Sequence, residues 1–101
     1  MTYDEFMKEC HSKGLDPFEY LMPSESFEEI IDDSLYGTKD IKDYIMRNER
    51  TARRWCNSGY IKVVSKNPWL CTGLELKRTL FKEFHDQIMT QFLQSGKKNI
   101  M

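Results

Sequence analysis

Apolar positions along the chain fall into short helical stripes, punctuated by glycine, proline and capping residues. In TYDEFMKECHSKG, Tyr3, Phe6, Met7 and Cys10 recur at helical spacing, and Gly14 is suited to the left-handed cap that ends such a helix. DPFEYLM predicts a second helix, with Asp16 as N-cap, Pro17 at the first helical position and Pro23 as the stop. In SESFEEIIDDSL, Ser26 and Glu29 have capping-box spacing, while Phe27, Ile30, Ile31 and Leu35 make an apolar stripe beneath an acidic surface. A third helix is expected there.

Beyond Gly37 the pattern tightens. Thr38 is expected to cap the helix KDIKDYIM, with Ile41, Tyr44 and Ile45 inward. MRN is long enough only for a turn, Asn48 caps the next helix, ERTARRWCNS, and Gly59 ends it. Two short helices across a tight turn form a helix-turn-helix pattern. YIKVV and WLCT, rich in β-branched and aromatic residues and separated by SKNP, predict a small hairpin. Thr72 and Glu75 then open a helix of about 20 residues, reaching the vicinity of Gly96, whose broad stripe comprises Leu74, Leu80, Phe81, Phe84, Ile88, Met89, Phe92 and Leu93.

A chain of 101 residues fits one domain. The expected organisation is an acidic helical arm over 1–36 packed on the core, a helix-turn-helix with hairpin and long helix over 37–96, and a frayed tail over 97–101. No apolar run approaches the roughly 20 residues that span a bilayer, and the first residues lack the basic and apolar regions of an export signal. A cytoplasmic protein without membrane contact is expected. Cys10, Cys56 and Cys71 are odd in number and far apart, a pattern of reduced structural thiols rather than disulfides or a zinc site.

Charge is unevenly distributed along the chain. The formal net charge is −1, yet residues 1–36 hold ten carboxylates against two lysines and residues 37–101 hold thirteen lysines and arginines against six carboxylates. Such asymmetry between halves points to nucleic-acid or partner contacts. The basic half contains TARRWCNSG. On a helix, Arg50, Arg53, Arg54 and Asn57 fall on neighbouring positions and present forked donors to phosphates or guanine edges, while Ala52, Trp55 and Cys56 turn inward. Trp55 is expected to anchor this helix to the core, and Gly59 to permit the sharp exit.

TKDIKDYIMRNERTARRWCNSGYIKVV resembles the winged helix-turn-helix of MerR-like regulators and of phage or plasmid excisionases, over roughly residues 37–82. The resemblance, which does not reach the acidic arm, implies a winged helix-turn-helix with a small β-hairpin wing; with the helices read above, the expected fold is mostly α, with an N-terminal helical arm and a long C-terminal helix. The resemblance also implies a second helix in the major groove, with Glu49, Arg50, Thr51, Arg53 and Arg54 facing DNA, and Lys62, Lys66 and Asn67 on the wing. Arg47, in the turn, joins them as a candidate contact. This chain departs from the family in carrying Met46 and Arg47 where Gly-Val is usual, and Ala52 in place of a larger aliphatic residue. Pro68 and Trp69 form an unusual wing tip, where Trp69 is expected to pack on the core more readily than to stack on a base.

The expected function is a non-catalytic DNA-binding protein of a mobile genetic element, acting as a regulator or excisionase-like factor. Double-stranded DNA is favoured over single strands. The alternative is an accessory subunit, because the layout of an acidic helical arm before a helix-turn-helix also resembles the small partner protein encoded beside the A-family DNA polymerase of staphylococcal cassette elements. Such a subunit would dock on the polymerase through its arm or through Ile88, Met89, Phe92 and Leu93, a stripe that could equally form a homodimer. No cofactor, metal or catalytic residue is expected, since no glycine phosphate loop, paired carboxylates or ligand cluster occurs at a usable spacing.

Overall fold

The computed structural model describes residues 1–20, 27 and 29–100, with side chains described as far as residue 94. The fold is mostly helical with a small three-stranded antiparallel sheet. Helix α1 spans Tyr3–Lys13, a single 3₁₀ turn covers Pro17–Glu19, and strand β1 covers Leu35–Gly37. Helices α2 (Thr38–Tyr44) and α3 (Glu49–Ser58) follow, then strands β2 (Ser65–Lys66) and β3 (Trp69–Thr72), then helices α4 (Gly73–Glu83) and α5 (His85–Ile100).

Local chemistry sets most boundaries. Thr2 caps α1, its hydroxyl accepting from the Glu5 amide, and Gly14 ends the helix at φ 67°. The Leu15 amide donates to the Cys10 carbonyl at 2.8 Å and Gly14 to His11 at 3.2 Å, so two otherwise orphaned carbonyls are satisfied. Asp16 accepts from the Phe18 amide at 3.0 Å, but only the 3₁₀ turn forms behind it within the described residues. The expected stop at Pro23 and the cap at Ser26 lie outside them. Thr38 is not the cap of α2; Gly37 occupies that position, its amide donating to Asp40. Thr38 instead donates from its hydroxyl to Glu49 Oε2 at 2.9 Å, tying the start of α2 to the start of α3.

The core joins both halves of the chain. Phe6 lies 5.2 Å from Phe81 and 5.5 Å from Phe92 between ring centroids, and Tyr20 lies 5.6 Å from Phe92. Each such pair adds about 0.5–1.5 kcal/mol beyond its buried area. Phe27 and Ile30 are buried in the same core, with Ile41, Ile45, Ala52, Cys56 and Ile61 contributed by α2, α3 and the residues just after each. Leu76, which the stripe expected for the last helix omits, is fully buried, whereas Leu74 is only half-buried.

Three further expectations are corrected. Leu35 does not close a helical stripe: it opens β1, which pairs Leu35 with Thr72 and Gly37 with Leu70, giving the strand order β1-β3-β2. YIKVV is not a strand. The Ile61 amide donates back to the Trp55 carbonyl at 3.2 Å and Ile61 is buried, so the start of the segment bonds toward α3; only at its end does the Val64 amide reach the Leu70 carbonyl, at 2.8 Å, and β2 begins at Ser65. The last helix is not continuous either. Phe84, at φ −107° and ψ 20°, separates α4 from α5, and α5 runs past Gly96 to Ile100. None of the helices among the described residues is long and apolar enough to cross a membrane.

Salt bridges knit the acidic N-terminal half to α4. Lys77 Nζ is 2.8 Å from Asp32 Oδ1, and Arg78 reaches Asp4 at 3.4 Å and Glu75 at 3.0 Å. Gly73 sits where α4 begins against the preceding segment: its amide donates to the Ser34 carbonyl at 2.9 Å and that of Leu74 to Asp32 at 3.2 Å. A Cβ at Gly73 would overlap the Ile31 carbonyl. Only glycine permits this approach.

Candidate nucleic-acid interface

Helix α3 is amphipathic because its apolar residues recur on one side. Ala52 and Cys56 are buried at 0% and 2% exposure, while Arg50, Arg53, Arg54 and Asn57 are exposed. Asn48 Oδ1 accepts from the Thr51 amide at 2.8 Å, and Gly59 ends the helix at φ 85°. An asparagine N-cap is worth roughly 1 kcal/mol. Trp55 is half-buried and packs against the core, its ring meeting that of Tyr60 edge-on at 4.9 Å. Thr51 is half-buried and leans less into solvent than the arginines do.

The turn before α3 holds Met46 at φ 57°, the left-handed region where glycine is the economical residue. The Arg47 amide donates to the Lys42 carbonyl at 3.0 Å and Met46 to Asp43 at 3.3 Å, so the end of α2 repeats the hydrogen-bond pattern seen at Gly14. Methionine thus holds a backbone geometry that glycine adopts at lower cost.

The arginines divide into two groups. Arg47 Nη2 lies 3.3 Å from Glu83 Oε1, and Arg53 Nη1 lies 3.7 Å from Glu49 Oε2, one helical turn away. Glu49 does not face outward with the arginines, being half-buried and held by Thr38. Among the described residues no ion pair involves Arg50 or Arg54. Exposed pairs such as Arg53–Glu49 contribute about 0.3–0.5 kcal/mol and yield readily to a stronger anion. The N-terminal carboxylates Asp4 and Asp32 pair with α4, not with α3. Among the described residues no carboxylate of the N-terminal segment pairs with the basic face of α3.

Past α3 the chain carries further basic and polar residues, of which Lys66 lies in β2 and Lys62 in the non-strand segment before it. Lys62, Lys66 and Asn67 are all exposed. The turn between β2 and β3 holds a cis Asn67–Pro68 bond, and Ser65 Oγ donates to the Pro68 carbonyl at 2.9 Å. Trp69 packs against the core and is half-buried.

Behind α3, the last turn of α4 contributes residues that sequence reasoning passed over. Tyr60 donates from its hydroxyl to Glu83 Oε2 at 3.1 Å, and Lys82 Nζ donates to the Tyr60 carbonyl at 3.1 Å while standing 4.6 Å from the centre of its ring. Burial first, and then the hydrogen bond to Glu83, push the Tyr60 phenol above its ordinary value. These partners are 23 and 22 positions apart, beyond any local periodicity.

The stripe predicted to bind a partner separates. Ile88 and Phe92, at 0% and 4% exposure, belong to the chain's own core, Met89 is half-buried against it, and only Leu93 stands open at 64%. The three cysteines are buried and unpaired with one another. Burial pushes the Cys10 thiol up to about 11 and the Cys71 thiol up to about 12, and raises that of Cys56, so all three are held as neutral thiols. No protein family matches the chain, and neither does any curated protein or solved structure.

Proposed function

We propose that the chain is a DNA-binding protein of the winged helix-turn-helix type, with α2 and α3 as the helix pair and β2–β3 as the wing. The observation that supports this best is the open face of α3, where Arg50 and Arg54 lie beside exposed Arg53 and Asn57 while Ala52 and Cys56 bury the opposite side. A helix of this kind fits the major groove, and its guanidinium groups offer bidentate donors to guanine or to phosphate. Lys62, Lys66 and Asn67 then meet the flanking backbone. The pairing of β1 with β3 adds support, because it braces the hairpin against the strand that leads into α2. The role is binding rather than catalysis, in a regulator or excisionase-like factor of a mobile element.

Fluorescence anisotropy with a labelled duplex tests the proposal. Affinity falls steeply as salt rises, and Arg50→Ala with Arg54→Ala flattens the log-log salt slope by about 0.9 for each phosphate that is no longer neutralised. Unchanged affinity in that double variant contradicts it.

A second reading, an accessory subunit of a replication polymerase, draws on the exposure of Leu93 on α5. Since Ile88 and Phe92 are committed to the core, docking through this helix would rest on Leu93. Co-purification with the polymerase, abolished by Leu93→Asp, is the outcome that reading requires.

A further inference from the structure

We propose that Glu83 is a positioning residue for the basic face of α3, an inference that rests on the DNA-binding reading above. A single carboxylate reaches both flanks of the helix. Its Oε1 accepts from Arg47, the residue immediately before the Asn48 cap, and its Oε2 accepts from the hydroxyl of Tyr60, the residue immediately after the Gly59 cap. Lys82, its neighbour, holds the Tyr60 carbonyl and ring, and Trp55 of α3 lies edge-on against the same ring. The last turn of α4 therefore grips α3 from both ends, and Glu83, whose side chain is only 22% exposed, is the group common to both grips. A surface that reads nucleic acid must be held within a fraction of an ångström, and second-layer hydrogen bonds are the usual means.

The sign of the effect separates positioning from simple electrostatics. Glu83 is a negative charge close to a surface that meets a polyanion, so on charge alone its removal should tighten binding. If Glu83 positions α3, deleting the side chain weakens binding in spite of that gain. Arg47, held by Glu83, then serves the clamp and not the phosphate backbone.

The test compares Glu83→Ala, Glu83→Gln and wild type for duplex affinity, and for hydrogen exchange of backbone amides without DNA. The expected result is that Glu83→Ala binds about tenfold more weakly and that amides of Arg54 to Ser58 exchange about tenfold faster, with α1 unchanged. Glu83→Gln, whose amide can accept from Arg47 and donate to the Tyr60 oxygen, restores both to wild-type level or better. Tighter binding by Glu83→Ala, or unchanged exchange in α3, overturns the proposal. The exchange result needs no ligand: if wild type binds no duplex, the DNA-binding reading fails while the clamp is still judged by exchange. Should Glu83→Ala not fold, Tyr60→Phe removes one of the two bonds and keeps the ring against Trp55 and Lys82. It is expected to speed α3 exchange about threefold, and no change there overturns the proposal equally.

Discussion

The ammonium of Lys77 sits 2.8 Å from a carboxylate oxygen of Asp32, with 11% of the lysine side chain exposed. The same ammonium stands 5.2 Å from the centre of the Phe27 ring and 5.8 Å from that of Phe18. One cation on α4 therefore holds both the acidic segment and the two aromatic rings beneath it. Asp32 remains 55% exposed, so the Coulomb contribution is screened and the apolar stem of Lys77 contributes alongside it.

Replacing the charge and keeping the stem separates these effects. Lys77→Met is expected to lower stability by about 1 kcal/mol, and Lys77→Ala, which also removes the stem, by about 2 kcal/mol. Urea unfolding measures both, and a Met variant as damaged as the Ala variant would place the effect in the charge.

What was legible in the sequence is what neighbouring residues decide. Asn48, Gly59, Gly14 and Thr72 each cap the helix end where their local chemistry placed them, and the two-sided character of α3 follows from the spacing of Ala52 and Cys56 against the arginines. What escaped depends on distant partners. Strand β1 is three residues long, too short for alternation to show, and exists because β3 lies beside it. Arg47 reads as a free cation until Glu83, 36 positions on, accepts from it. Gly73 looks like one more helix-start residue until the Ile31 carbonyl is found against it.

Gly73 gives a sharp stability test. Gly73→Ala places a methyl group on the Ile31 carbonyl and strains the amide contacts to Ser34 and Asp32, so a loss of about 3 kcal/mol is expected. Thermal unfolding reads it directly. A variant as stable as wild type would show that the start of α4 can move away from this segment at no cost.

Met46 gives the opposite sign. A non-glycine residue in the left-handed region costs about 1–2 kcal/mol, and glycine recovers most of that, less its own chain entropy. Met46→Gly is therefore expected to stabilise the protein by about 0.5–1 kcal/mol, raising the Tm by several degrees. No gain would mean that the half-exposed methionine side chain makes contacts worth as much as the strain.

The pH dependence is set by groups held neutral. Burial, the largest cause in each case, raises Cys10 and Cys71 from an ordinary 9.0 to about 11 and about 12, and Tyr3 from 10.0 to about 12. Between the ordinary and raised values the folded chain binds more protons than the unfolded one, so stability falls as pH rises. The loss is expected to begin near pH 9 and continue to about 12, measured by urea midpoints across that range. A flat profile in that window contradicts the assignment, and Cys71→Ala should remove part of the slope even if it lowers stability at neutral pH.

The proposed contact of nucleic acid is with the outer face of α3 and the hairpin beyond it. The most direct measurement is a titration of isotope-labelled protein with duplex DNA, following backbone amide shifts residue by residue. Movement concentrated over Arg50–Asn57 and Lys62–Asn67, with α1 still, is the predicted outcome; an undisturbed α3, or shifts confined to α1 and α5, would contradict it.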